Sequence, residues 1–251
     1  MSAKKSEDKL YVLPVDEVHI WSASLLDHSK DIDYLKSILS QDEQDRAKSF
    51  KFSKDQVNYI TARGILRCVL SSYLETAPQS IEFVYGLWGK PGLLGKHPLH
   101  FNVSHSGDYA LYALTRHYEV GIDLEYIDKD FEIENIASTI LSLSEKNLWD
   151  AVSPDKKAQV FFHLWACKEA YLKATGKGWL EEKVEGCFES TLLFKKILEW
   201  TFPANCLITY PYCFEPVPVY VGALFVKGPP LYAVHHQVAS ALYPLRSNHS
   251  F

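Results

Sequence analysis

The sequence predicts an α+β fold of two similar α/β halves related by a pseudo-twofold axis, each a small antiparallel sheet packed on a long helix. Alternating apolar and polar residues mark short strands in both halves, and runs with a period near 3.6 mark two long helices. The order also repeats: Trp21 precedes Ser40-x-x-Glu43 by 19 residues, Asp123 precedes Ser142-x-x-Glu145 by 19, and a long helix follows each. Both tetrads are capping-box signatures, in which the serine caps the N3 amide and the glutamate reaches back. Residues 1–118 and 119–251 therefore read as the two halves, with a ligand cleft expected between them.

Taken in order, "EVHIWSA" (17–23) alternates as a strand, and helices follow at about 42–50 and 55–74. Val57, Ile60, Ile65, Leu66, Val69 and Leu70 give the second helix its apolar positions. "SIEFVYG" (80–86) reads as a strand and "GLWGKPGLLGK" (86–96) as a glycine-rich loop. "LHFNVS", "YALYALT" and "EVGIDLE" then form an expected antiparallel meander. From Asp130 the pattern turns helical, and the clearest helix of the chain lies within 153–178. Ser153 is its N-cap, Pro154 takes N1 and Gly176 stops it.

A chain of 251 residues with 47% hydrophobic content has core material for one large domain or two small ones. Cys68, Cys167, Cys187, Cys206 and Cys213 are odd in number and form no C-x-x-C pair, and no apolar stretch follows the lysines of "MSAKKSEDKL". A reduced, cytoplasmic protein is expected. The longest apolar run, "VPVYVGALFV" (217–226), contains Pro218 and spans only about half of what a membrane helix needs, so no membrane partner is expected. The formal charge of -5, with lysines and arginines scattered, argues against nucleic acid. An anionic ligand would have to be held locally.

Side chains alternate along a strand, so Asp123 and Glu125 of "GIDLE" share one face. Paired carboxylates at a partly buried edge raise each other's pKa unless a cation offsets them. They read either as a solvated strand face paired to Lys and Arg, or as ligands of a divalent cation; hard oxygen donors suit magnesium completed by water and phosphate. Trp165, Glu169 and Lys173 recur at i, i+4 and i+8, which is either a surface ion pair or a third ligand beside a cation. Phe161, Phe162, Leu164, Trp165, Tyr171 and Leu172 wrap most of that helix, so its charges, Lys168 included, need partners. In "FNVSHSG" (101–107), Ser104 and His105 can approach a phosphate, His105 either as a cation or as a structural histidine. A serine–histidine hydrolase fails on layout, because adjacent residues of an extended segment face opposite ways and no G-x-S-x-G elbow is present.

In this order, "GKP" (89–91), "FNVSHSG" (101–107), "VGIDLE" (120–125) and "FHLWACKEAYLKATGKG" (162–178) resemble the 4′-phosphopantetheinyl transferases of the larger, pseudo-dimeric, surfactin-synthetase-activating type. "SQDEQDRAKSFKF" and "ARGILR" extend the likeness upstream; nothing after about residue 240 adds to it. The resemblance implies transfer of the phosphopantetheine arm of coenzyme A to a serine of an apo acyl, peptidyl or aryl carrier protein, releasing adenosine 3′,5′-bisphosphate. It implies a monomer whose N-terminal half binds coenzyme A and whose C-terminal half carries the metal and the long helix.

The implied metal ligands are Asp123, Glu125 and Glu169, for magnesium or, as a replacement, manganese. The implied coenzyme A contacts are Arg46, Arg63, Lys90, Pro91, Ser104, His105, Lys168 and Lys173, and the catalytic residues Glu169, Lys173 and His105. Glu169 is the implied base, reached through a metal-bound water in preference to direct contact. Glu43 departs from the family, standing where some members carry a basic residue near the adenosine 3′-phosphate. The residues alone also allow a magnesium-dependent nucleotide pyrophosphatase or a noncatalytic carrier-binding module. Carrier proteins are acidic, as is this chain, so docking is expected to be short-range and apolar with a few local cations.

Overall fold

The computed structural model describes residues 10–128, 130–178, 207–208, 211–239 and 242–243; Cys187, Cys206 and most of the segment after 240 lie outside them. The chain runs β1 (Glu17–Ser24), α1 (Leu25–His28), α2 (Ile32–Ser37), α3 (Gln41–Lys48), α4 (Ser53–Leu74), β2 (Phe83–Tyr85) and β3 (Pro91–Leu93). Next come β4 (Leu99–Ser106), β5 (Tyr109–Arg116), β6 (Glu119–Tyr126), α5 (Ile133–Ile140), α6 (Leu143–Asp150) and α7 (Pro154–Thr175). The last described elements are β7 (Leu207–Ile208), β8 (Tyr212–Phe214), β9 (Tyr220–Lys227) and β10 (Leu231–Gln237).

These elements form a mixed α+β fold of four layers, because each sheet is apolar on both faces. One face of the sheet β4-β5-β1-β10-β7 buries Trp21, Phe101, Tyr112 and Leu114 against α4 and its neighbours. Its other face puts Val18, Ile20, Leu111 and Ala113 against Ile122, Leu124, Leu224 and Val226 of the sheet β6-β9-β8. The far side of that second sheet, with Cys213, Val221 and Ala223, buries α7. Two stacked sheets flanked by helices thus share three apolar seams.

The expected meander is corrected at its third strand. β4 and β5 pair antiparallel, but the second edge of β5 is taken by β1, so β6 turns into the other sheet and pairs with β9. His117, at φ 67°, makes that reversal. The first sheet is not wholly antiparallel either. β10 runs parallel to β1, so sheet hydrogen bonds cross the boundary expected near residue 118. The glycine-rich loop contains β3, which pairs with β2 as a small hairpin.

The repeated signatures do fold alike. α4 and α7 are each 22 residues long, and both capping boxes form, at α3 and α6. Glu43 Oε2 accepts from Ser40 N at 3.0 Å and from Arg67 Nε of α4 at 2.7 Å. Glu145 Oε2 accepts from Ser142 N at 2.8 Å and from Lys168 Nζ of α7 at 2.6 Å. All four charged side chains are buried.

Candidate functional site

A cavity of about 860 Å³ opens between the β2–β3 hairpin, α4, β4 and the C-terminal end of α7. Arg46, Arg63, Lys90, Pro91, His105, Glu169 and Lys173 line it. Among the described residues its wall carries five Lys or Arg (Arg46, Arg63, Lys90, Lys173 and Lys177) against two acids, Glu119 and Glu169. That local excess, in a chain of net charge -5, suits an anionic ligand.

The acidic end is assembled by close approach of α7 to β6. A Cβ on Gly121 would stand 2.0 Å from Ala170 O and 2.4 Å from Ala174 N, so only glycine lets the helix lie this near the strand. Lys173 Nζ then sits 2.5 Å from Asp123 Oδ1 and donates to Ser104 Oγ at 3.0 Å, while Ser104 Oγ donates to Asp123 Oδ1 at 2.9 Å. Asp123 Oδ2 is buried with no hydrogen-bond partner among the described residues. Burial pushes the Asp123 carboxyl up, Lys173 pulls it down, and the Glu169 charge pushes it up again. Burial first, then Asp123 and Glu169, raise Glu125 to about 8. The three carboxylates therefore lie within one another's field, with the Lys173 ammonium beside them.

Among the described residues no three ligating side chains already close into a metal cage. Asp123 still offers a buried Oδ2 with no hydrogen-bond partner among the described residues, with the Glu125 and Glu169 carboxylates in its field, hard oxygen donors of the kind a divalent cation takes; of the three, Glu169 lines the cavity and Asp123 and Glu125 do not.

β4 braces this end through its alternating polar face. Asn102 Oδ1 accepts from Ile122 N at 2.8 Å and Ser106 Oγ accepts from Tyr126 N at 3.1 Å. With Ser104 between them, these side chains bridge β4 to β6 where the two sheets meet. His105 points the other way and lines the cavity. Burial, then Lys173 and Arg63, lower its imidazole below the usual value; the residue is exposed at the cavity wall, so water tempers the effect. His105 thus stands on the cavity wall, placed to meet a ligand there.

At the opposite end, Arg63 stands 5.3 Å from the Phe83 ring centroid and 5.8 Å from that of Tyr85. Its Nε is 3.3 Å from Glu43 Oε1, and its Nη1 is buried without a hydrogen-bond partner among the described residues. Glu43 is buried off the cavity lining; it caps α3 and pairs with Arg67 and Arg63. Lys168, expected at coenzyme A, does not line the cavity: it donates to Ile140 O at 2.8 Å and to Glu145.

Sequence reasoning missed Glu119 and His100. Lys90 Nζ donates to Glu119 Oε2 at 2.9 Å and to Val120 O at 3.1 Å, and His100 Nδ1 lies 3.1 Å from Glu119 Oε1. The His100 and Lys90 contacts hold Glu119 down to about 2. Nothing in the local pattern marks Glu119, whereas a lone glycine inside the "GIDLE" strand is itself a signal of close backbone approach.

Comparison with known proteins bears on this arrangement. Residues 119–192 match the family model described as the 4′-phosphopantetheinyl transferase superfamily, and residues 21–117 match the model 4′-phosphopantetheinyl transferase, N-terminal. The chain is 39% identical over 166 residues to the 4′-phosphopantetheinyl transferase HetI of Nostoc sp., a stretch covering 65% of this chain and 70% of that protein. It is 37% identical over 127 residues to the 4′-phosphopantetheinyl transferase AcpT of Escherichia coli, covering 50% of this chain and 64% of that one. It is 29% identical over 146 residues to a 4′-phosphopantetheinyl transferase of Bacillus subtilis, covering 58% and 64%.

Proposed function

The chain belongs to the 4′-phosphopantetheinyl transferase superfamily, and on that premise we propose that it moves the phosphopantetheine arm of coenzyme A onto a serine of an apo acyl, peptidyl or aryl carrier protein. The observation that carries this reading is the buried Ser104–Asp123 pair, with its orphan Oδ2, joined by Lys173 to the wall of a locally cationic cavity.

In this reading Arg46, Arg63 and Lys90 hold the phosphates of coenzyme A, the buried Nη1 of Arg63 gaining the acceptor it lacks. Ser104, His105 and Lys173 face the pyrophosphate. The carrier serine oxygen attacks the β-phosphorus, the bond to the bridging oxygen breaks, and adenosine 3′,5′-bisphosphate leaves. Glu169 takes the serine proton. Lys173, as a cation, and His105, as a hydrogen-bond donor, offset charge on the phosphoryl oxygens. Asp123, Glu125 and Glu169 would hold magnesium or manganese, which when bound supplies Lewis-acid neutralisation of the pyrophosphate.

Two related halves meeting near residue 118, with β10 exchanged into the first sheet, fit this reading and are supported by the paired capping boxes. A monomer suffices, since both ends of the cavity come from one chain. The free Cys68, Cys167 and Cys213 support a reducing, cytoplasmic setting, and among the described residues no helix is long and apolar enough to cross a membrane.

The test is incubation with coenzyme A, magnesium and each of several apo carrier proteins, followed by mass spectrometry of the carrier. A phosphopantetheine increment is expected. No increment on any carrier overturns the reading, and breakdown of coenzyme A without a carrier would point instead to a pyrophosphatase.

A further inference from the structure

Asp123 is buried, its Oδ1 is held by the Lys173 ammonium at 2.5 Å, and its Oδ2 has no hydrogen-bond partner among the described residues. The ammonium is braced by Ser104 Oγ, which itself donates to Asp123. It therefore lies against the carboxylate that a divalent cation would need. A divalent cation on Oδ2 would stand beside the ammonium already on Oδ1, and two cations on one carboxylate repel strongly. The lysine is on the cavity side of the pair: its side chain is 28% exposed, against 4% for Asp123. A flexible four-carbon stem lets its head swing off the carboxylate towards a ligand in the cavity without moving α7.

We propose that Lys173 is the resident counter-cation of the acidic site in the metal-free protein, and that a divalent cation enters as this ammonium is drawn off Asp123 onto an anionic ligand. The inference rests on the reading of Asp123, Glu125 and Glu169 as a metal site. It makes Lys173 a gatekeeper as well as a phosphate contact. Asp123 is kept paired until polyanion and metal arrive together, and the two ligands strengthen each other's binding through one side chain.

The experiment titrates the chelator-stripped full chain with Mn²⁺ alone, reading free Mn²⁺ by electron paramagnetic resonance, and then repeats it with coenzyme A present. Lys173→Met is expected to bind Mn²⁺ about tenfold tighter than wild type in the absence of coenzyme A, a coupling of ordinary size. Lys173→Arg, which keeps the charge, is expected to stay near wild type. Coenzyme A should then tighten Mn²⁺ binding more in wild type than in Lys173→Met. Lys173→Met binding Mn²⁺ no tighter than wild type would overturn the inference while leaving the metal site standing. No Mn²⁺ binding by any of the three proteins, with or without coenzyme A, would overturn the metal site and the inference with it. A thermal melt checks folding. Should Lys173→Met fail to fold, Ser104→Ala, which keeps every charge and removes the brace, is expected to bind Mn²⁺ a few-fold tighter, and unchanged affinity there overturns the proposal.

Discussion

Gly121 owes its place to a missing side chain. A methyl group there would strike the backbone of α7 at Ala170 and Ala174, and backbone cannot rotate away as a side chain can. Gly121→Ala is expected to cost about 3 kcal/mol, the upper range for overpacking, read as a fall in denaturation midpoint. It should also lower turnover, because the shifted helix carries Glu169 and Lys173. Glu125 runs the opposite way. Its native pKa of about 8 lies above the ordinary carboxylate value, so the native state holds that proton more tightly than the unfolded chain does. This contribution to stability is full below the unfolded value and fades as the pH rises towards 8. Glu125→Gln in chelator should therefore be more stable than wild type, by about 1 kcal/mol at pH 8 and less at pH 5, checked by paired melts at the two values. Such residues were legible in unequal measure. "GIDLE" shows its paired carboxylates by alternation alone, but that Asp123 and Lys173 meet depends on how α7 lies across β6, which no local spacing encodes.

At the scale of elements, the buried pairs Glu43–Arg67 and Glu145–Lys168 tie each capping box to its long helix. Removing one partner of a buried pair leaves an uncompensated charge, at a cost of roughly 3–5 kcal/mol. Lys168→Ala is expected to lose stability on that scale. Its Michaelis constant for coenzyme A should stay near wild type below the melting range, since Lys168 stands away from the cavity lining; a rise of tenfold or more would place it at the ligand after all. Helix ends were readable because caps are local: Ser153, Pro154 and Gly176 delimit α7 as the residues suggest. Pairing was not readable for the converse reason. Whether β6 follows β5 in the same sheet depends on β1, nearly a hundred residues earlier in the chain, having taken that edge.

At the scale of the whole molecule, the four layers depend on a strand from beyond residue 118 completing the first sheet. A fragment ending at residue 118 should then lack a cooperative thermal transition by circular dichroism and regain one on mixing with residues 119–251; independent two-state melting of the fragment would contradict this. The α+β class and the order of strands and helices could be read from periodicity, as could the duplicated capping signature. The interlocking could not, because a parallel partner leaves no mark at the strand that receives it. That pairing sets a timetable as well as a shape. Glu17 and Tyr232 are register partners 215 residues apart, an interval of roughly 10 to 40 seconds at ordinary rates of translation. Until Leu231–Gln237 has left the ribosome, the nascent β1 has one unpaired edge, open to other emerging chains and to chaperones.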